Sequence, residues 1–598
     1  MNRKSFKWCA GSLMAAMLLS IPSCSDDHFT IDSEVSGRPT LWQAIESNES
    51  LSEYASILRD LQYSKKVSSV TKQTYADMLN HEQTFTVWAP KNGTFNYDKW
   101  RALLDDGTRA SAYRVETELV RNNMTRFTHL LNGNDSTNLV LFNNKTAMFN
   151  CEKGTIKGQA ITTANIGTSN GVLHVIDGAV SYLPNLYEYL TTTPGCDSIA
   201  EFILKFEKDD FNDEASTQGP TIDGNITWVD SVSTAYNEFV LGYMNARLDN
   251  EDSTYVLVIP SNEAWDVAYA KYIKYYNYMP TYIQEVTTNE GTTTTTSTIT
   301  TNFTDIELDS IVRVRTGGAI AANLAFNANS QFGHKIEDFT TPGACDSLMN
   351  TVRNVFYDPE SVELFDNATP VRASNGYAYM VNNYNFTPLQ TILNKRRYEA
   401  ENCWTSYDTS KSGLPNDHYD INKNYTFTFD DGEGNITEID TLIRERVVNV
   451  VPASRVSNPT INFKIDNTLS CKYDIYVIFA PNIDAAKPNQ FRATLLYHDN
   501  AATGKVNTLT LDVPEGVEGT GSKFRTRLPR IDENGEFQFN DSVLIAKDIE
   551  LPICYYGVDD AYVTLRIAAS VTSRELSEFT NEMLIDKIVL VPKEHEEE

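Results

Sequence analysis

The chain has 598 residues, 41% of them hydrophobic and 22% charged, with 31 Tyr and 27 Phe. This is the composition of several packed cores and excludes a disordered chain; at roughly 100–200 residues per domain it predicts three to four domains. The formal charge of −30 excludes the basic footprint that nucleic acid requires and disfavours direct adsorption to anionic lipid, and a solvated acidic surface is its simplest source.

At the N-terminus Arg3, Lys4 and Lys7 precede an apolar stretch from Leu13 to Ile21. That stretch is too short to span a bilayer, so 1–23 reads as a secretory signal. Ile21-Pro22-Ser23-Cys24 resembles a bacterial lipobox, which implies acylation of Cys24, with 24–37 as anchor and linker. Ser25-Asp26-Asp27 resembles the export signal that sends Bacteroidetes lipoproteins to the outer face of the outer membrane. The resemblance implies a lipid-anchored, surface-exposed protein, held by several acyl chains at ~0.8 kcal/mol per buried CH₂. The other cysteines, at 9, 151, 196, 345, 403, 471 and 554, contain no Cys-x-x-Cys pair. Buried free thiols are expected, with a bridge from Cys403 to Cys471 or Cys554 as the alternative.

The segment 38–184 opens with apolar residues at helical spacing, Leu41, Trp42, Ile45, Leu51, Tyr54, Ile57, Leu58 and Leu61, which predict one buried helical face. Thr84-Phe85-Thr86-Val87-Trp88-Ala89-Pro90 then predicts a buried strand entering a turn at Lys91 to Phe95, and Asn170-Gly171-Val172-Leu173-His174-Val175-Ile176 a tight turn entering a second strand. These two motifs, in this order, resemble the signatures of fasciclin-like domains. Phe127-Thr128-His129-Leu130 stands where the family often has a Tyr-His pair, so His129 matches and Thr128 departs. The resemblance makes Asn92, Phe95 and His129 the expected adhesion loop residues.

The segment 185–388 repeats the plan. Tyr255-Val256-Leu257-Val258-Ile259-Pro260 resembles the first signature and Ser374-Asn375-Gly376-Tyr377-Ala378-Tyr379 the second, implying a divergent second fasciclin-like domain. Between them Thr287 to Thr301 is threonine-rich and reads as a mobile insertion. Tyr269, Tyr272, Tyr275, Tyr276 and Tyr278 form a cluster that either stacks on a ligand or packs the insertion.

From 389 to 592 short apolar runs alternate with turn residues, which predicts an all-β sandwich with core strands at 461–465, 473–480, 491–497, 562–569 and 584–591. Tyr398-Glu399-Ala400-Glu401 and Ile585-Asp586-Lys587-Ile588 resemble the flanking strands of galactose-binding-like jelly rolls, including carbohydrate-binding modules. That resemblance implies sugar recognition by aromatic faces, and Trp404, Tyr407, Tyr497, Tyr555 and Tyr556 are the candidates. Asp417, Asp420, Asn422 and Asn424 alternate oxygen ligands, so structural calcium is the one cofactor the pattern allows. Residues 593–598 read as a solvated acidic tail. Triplets such as Asp135-Ser136-Thr137, Asp230-Ser231-Val232, Asp309-Ser310-Ile311 and Asp541-Ser542-Val543 resemble Bacteroidetes O-glycosylation acceptors.

No His-Glu-x-x-His helix, Gly-x-Ser-x-Gly elbow, phosphate loop or dinucleotide fingerprint occurs. The expectation is therefore a non-enzymatic surface lipoprotein with two fasciclin-like α+β domains and a jelly-roll-like sandwich, acting in adhesion or glycan binding, partnered by an extracellular glycan or surface protein, with a role as accessory to an outer-membrane glycan importer as its narrower form. The alternatives are a protein-binding scaffold acting through the fasciclin-like pair and, third, a cryptic glycosidase.

Overall fold

The computed structural model describes residues 37–62, 73–133, 136–222, 225–290, 293–329, 331, 333–430, 436–499 and 504–596, with the backbone alone for 212–222 and 225–234. The signal segment, Cys24 and Ser25 to Asp27 lie outside the described residues. The chain divides into two compact units, one formed by the stretch up to Leu183 with Phe211–Thr234, the other by Pro184–Asp210 with Ala235–Glu598.

In the first unit Thr40 caps the helix Leu41–Glu46, and its backbone N–H is answered by the Gln43 side chain in a capping box. The helical stretch up to Leu61 is interrupted. Asn48 caps a short turn at Glu49–Leu51 before the helix Ser52–Asp60 resumes, yet Leu41, Ile45, Leu51, Tyr54, Ile57, Leu58 and Leu61 still enter one core. The strand Phe85–Pro90 is buried throughout; it runs parallel to Gly171–Ile176 and antiparallel to Met124–Arg126 within a seven-stranded sheet.

The Asn-Gly pair at the foot of this parallel ladder explains the turn. Gly171 has φ +144°, and a Cβ there would lie 1.9 Å from the Phe85 carbonyl oxygen, so only glycine lets the strands meet. Asn170 accepts a hydrogen bond from the Leu41 N–H at 2.7 Å and donates to the carbonyls of Leu79 (2.8 Å) and His81 (2.6 Å). One buried amide thus joins the start of a helix to the loop that feeds the central strand.

The second unit contains the same local arrangement. Tyr255–Pro260 runs parallel to Gly376–Val381 and antiparallel to Ala325–Asn327. Gly376 has φ +149° with the Tyr255 carbonyl oxygen 1.8 Å from a hypothetical Cβ. Asn375 accepts from the Leu186 N–H at 2.9 Å and donates to the carbonyls of Leu248 (2.8 Å) and Asn250 (3.0 Å).

The C-terminal part is two antiparallel sheets sharing one core. One sheet places Asn416–Asp430, Ile436–Val450, Met583–Lys593, Cys471–Ala480 and Asp541–Leu551 side by side, with Arg396–Glu399 also paired to Met583–Lys593. The other runs Trp404–Tyr407, Thr460–Ile465, Val563–Ala569, Gln490–Tyr497, Lys523–Arg525 and Gly519–Thr520. Val477, Ile585 and Ile588 of the first meet Phe463, Leu495 and Leu565 of the second in a sandwich-like core.

Three expectations are corrected here. Thr281–Glu290 and Thr293–Asn302 pair along their whole length as a hairpin, so the threonine-rich stretch is no loose insertion. Threonine is a β-former, and composition weighed only its polarity; the root of the hairpin is anchored by buried Tyr282 and Gln284, and by the Ile283 N–H donating to the Gly504 carbonyl at 2.8 Å. The tyrosine cluster divides between two cores: Tyr272, with Tyr269 packed beside it, enters the core around Tyr255–Pro260, and the rest pack against the sandwich. Tyr275, Tyr276, Tyr278 and Tyr282 join its core, the Tyr278 and Tyr282 hydroxyls donating to the carbonyls of Tyr556 (2.7 Å) and Cys554 (2.6 Å). Finally, Glu594, His595 and Glu596 are bonded to Leu389, Tyr275 and Lys472, so this part of the acidic tail is docked.

Candidate functional site

The surface of the first unit that stands out is the segment after Met124–Arg126. Phe127 has φ +66°, a left-handed backbone costly for an aromatic residue. It is held there because its N–H donates to the Thr84 carbonyl (3.1 Å) and its own carbonyl accepts from the Thr86 hydroxyl (2.7 Å). The consequence is a ring 71% exposed. His129 follows with its N–H donating to the Thr86 Oγ1 at 2.8 Å. Its carbonyl accepts from Nε2 of the buried His174 at 2.9 Å, which fixes the His174 tautomer and leaves Nδ1 to accept from the Asn165 N–H at 3.3 Å. Burial holds both imidazoles below the usual histidine range.

Arg126, Phe127, His129, Val140 and Phe142 line a surface cavity of about 440 Å³. Of that lining Phe127 and Val140 are exposed apolar side chains, Leu130 next to His129 in the chain is exposed as well, and the Arg126 guanidinium lies 5.5 Å from the centre of the Phe142 ring. A clustered apolar rim with one cation suits a protein surface. Sequence reasoning singled out His129 and gave Phe127 no role; the left-handed backbone turns that ring outward. Asn92 and Phe95 do not join this rim. Asn92 accepts from the Glu53 N–H (3.0 Å) and donates to the Glu49 carbonyl and Ser52 Oγ (2.9 Å each), pinning the start of the helix Ser52–Asp60. Phe95 is half-buried, packed on the core and edge-on to Tyr97.

In the sandwich most of the expected sugar-stacking faces are absent. Tyr407, Tyr497 and Tyr555 are buried. The threonine hairpin meets two of them: Asn289 accepts from the Tyr407 N–H at 2.8 Å, and Tyr282 packs on the Tyr555 ring, whose hydroxyl bonds His498 at 2.7 and 2.8 Å. Trp404 and Tyr556 stay half-exposed. The calcium candidates do not converge. Asp417, Asp420, Asn422 and Asn424 lie along one extended strand, where alternate residues are about 7 Å apart, too far to share an ion at about 2.4 Å. Asp420 is paired with Arg446 at 2.8 Å and Asp417 with His418 at 2.7 Å. Among the described residues no group of three His, Cys, Asp or Glu could hold a metal.

Cys151, Cys196, Cys345, Cys403, Cys471 and Cys554 are free thiols, so the Cys403 bridge does not form. Burial pushes Cys403 and Cys554 up to about 12 and Cys471 up to about 11. Of the glycosylation triplets, Ser136, Ser310 and Ser542 are exposed, while Asp135 and the side chains at 230–232 lie outside the described residues. No helix among the described residues is long and apolar enough to cross a membrane.

No curated protein matches the chain. Among solved structures, the FAS1 domain pair of the insect cell adhesion molecule Fasciclin I aligns at 10% identity over 52% of this chain and 90% of that one, with a TM-score of 0.19. A carbohydrate-binding module described for specific mannan recognition aligns at 10% identity over 32% of this chain and 99% of that one, with a TM-score of 0.15. A family 35 carbohydrate-binding module from Clostridium thermocellum aligns at 9% identity over 33% and 99%, with a TM-score of 0.13. Scores this low leave fold and function to be argued from the chain's own residues. Residues 61–181 match the Fasciclin domain family, whose domains are non-catalytic. One fasciclin-like domain is therefore present in the first unit.

Proposed function

We propose that this protein is a non-enzymatic adhesion protein, held at the outer-membrane surface by lipid on Cys24, whose fasciclin-like domain grips a surface protein through Phe127, Leu130 and Val140 around His129. The observation that carries the reading is the strained, solvent-facing Phe127 in a domain matched to the fasciclin family. Holding an aromatic ring in water with a left-handed backbone costs on the order of 1–3 kcal/mol, and such strain clusters at functional surfaces. The paired Asn-Gly ladders support a second fasciclin-like domain over 185–388, and the two-sheet core supports a sandwich over 389–592 that shares that core with Tyr275 to Tyr282. Anchoring rests on the lipobox resemblance at Cys24, export on Ser25 to Asp27, and the role beside a glycan importer on that same lipoprotein character.

The test is adhesion of cells displaying the protein to a partner surface, comparing the parent with Phe127→Ser/Leu130→Ser and with Cys24→Ser. The double variant is expected to lose at least tenfold in adhesion while melting at the parent temperature, and Cys24→Ser to be shed into the medium. Adhesion unchanged by the double variant would remove the rim, and retention of Cys24→Ser on cells would remove the anchor.

A further inference from the structure

Inside the second unit, the helix Asp305–Ala321 leaves a cleft of about 560 Å³ facing the sandwich. Its size falls in the range of small-molecule sites, on the order of 300–1,000 Å³. Three features of its lining point to one ligand chemistry. The first is a placed cation. The Arg315 guanidinium lies 5.0 Å from the centre of the Tyr556 ring and against Gly557, where a Cβ would come within 2.5 Å of Nη2. Ring and glycine therefore fix its position, and it makes no ion pair among the described residues, in a chain where acids outnumber bases by 80 to 50. An unpaired guanidinium in a fixed plane is a fork for a carboxylate.

The second feature is a pair of polar groups with unused hydrogen-bonding capacity. Tyr276 is 5% exposed, lines the cleft, and its hydroxyl has no hydrogen-bond partner among the described residues. Asn354 donates to Asn323 Oδ1 at 2.7 Å and to the Thr391 carbonyl at 3.2 Å; this fixes its amide plane and leaves Oδ1 as a free acceptor in the cleft. The third is a ring surface. Phe239 and Tyr243 stack at 5.5 Å and 17°, both line the cleft, and Tyr243 is 58% exposed.

We infer that this cleft is a binding site for an acidic saccharide. A uronate or sialate ring offers a carboxylate to Arg315, hydroxyls to Asn354 Oδ1 and Tyr276, and a C–H face to the aromatic stack. A neutral sugar leaves the guanidinium unanswered, and a purely aromatic acid leaves Asn354 and Tyr276 unpaired. The site is separate from the adhesion rim of the first unit and does not rest on it.

The test is calorimetric titration of the purified protein with galacturonate, glucuronate and mannuronate disaccharides and N-acetylneuraminate, beside lactose and benzoate. At least one acidic sugar is expected to bind saturably, at least tenfold tighter than lactose or benzoate, and more weakly as salt is raised. Arg315→Gln is expected to lose at least tenfold in that affinity while melting near the parent temperature, and Asn354→Ala to lose severalfold with a lowered melting temperature, since it also removes the bonds to Asn323 and Thr391. Silence from all four acidic sugars, equal binding of benzoate, or unchanged affinity in a folded Arg315→Gln would each overturn the inference. If Arg315→Gln fails to fold, Tyr276→Phe decides: it removes only the free hydroxyl, and unchanged affinity there also overturns the site.

Discussion

Replacing Asn170 by alanine isolates the amide that ties the first unit together. The substitution removes three buried hydrogen bonds at once, to the Leu41 N–H and to the carbonyls of Leu79 and His81. A typical bond contributes about 1 kcal/mol net, and a buried group left without a partner costs about 1–3 kcal/mol, so the loss is about 3–5 kcal/mol. For a unit of this size about 1 kcal/mol lowers the melting temperature by about 2–4 °C, which predicts a fall of about 6–20 °C in the first unit's transition. Asn375→Ala removes the corresponding three bonds in the second unit and should lower that unit's transition by a comparable free energy. Because a two-unit chain need not melt in one step, the assay is hydrogen exchange read separately in the two parallel ladders under rising denaturant. A loss below about 1 kcal/mol in either ladder would refute the assignment of these amides as the ties.

Acid should weaken the first unit through His174. Its folded value is depressed below the unfolded value of about 6.5, so the fold binds the proton less well; the stability is present above that value and is lost as pH falls below it. Melting that stays flat from pH 7.5 to 5 would contradict this. Tyr282→Phe leaves the Met279 N–H and the Cys554 carbonyl unpaired and should destabilise the second unit by about 2–3 kcal/mol in chemical denaturation. Iodoacetamide at pH 8 should spare Cys403, Cys471 and Cys554 until denaturant is added, since burial keeps these thiols protonated; labelling of Cys554 in the native protein, read by peptide mass, would count against the packing.

Much of the secondary structure was legible because it is set locally. Period-two apolar runs gave the five sandwich strands nearly to the residue, and Asn170-Gly171 and Asn375-Gly376 announced turns that no side chain larger than glycine could make. The candidate sites were less legible. His129 was found by its place in a motif, but the outward turn of Phe127 depends on hydrogen bonds to Thr84 and Thr86, and Asn92 proved to be tied to the helix preceding its strand.

The sequence by itself determined the alternation of strand and turn and the Asn-Gly turns, because each depends on neighbours within a few positions, and its composition made the chain acidic. Tertiary structure decided which aromatic residues meet solvent. Tyr407 and Tyr555 are met by a hairpin that pairs threonines and Tyr497 is buried in its own sheet, while Tyr556 is left beside Arg315. The physical reason is range. Burial and a free guanidinium are fixed by partners far along the chain, as Tyr282 is by Cys554 and Arg315 by Tyr556, and no local pattern of residues encodes those meetings.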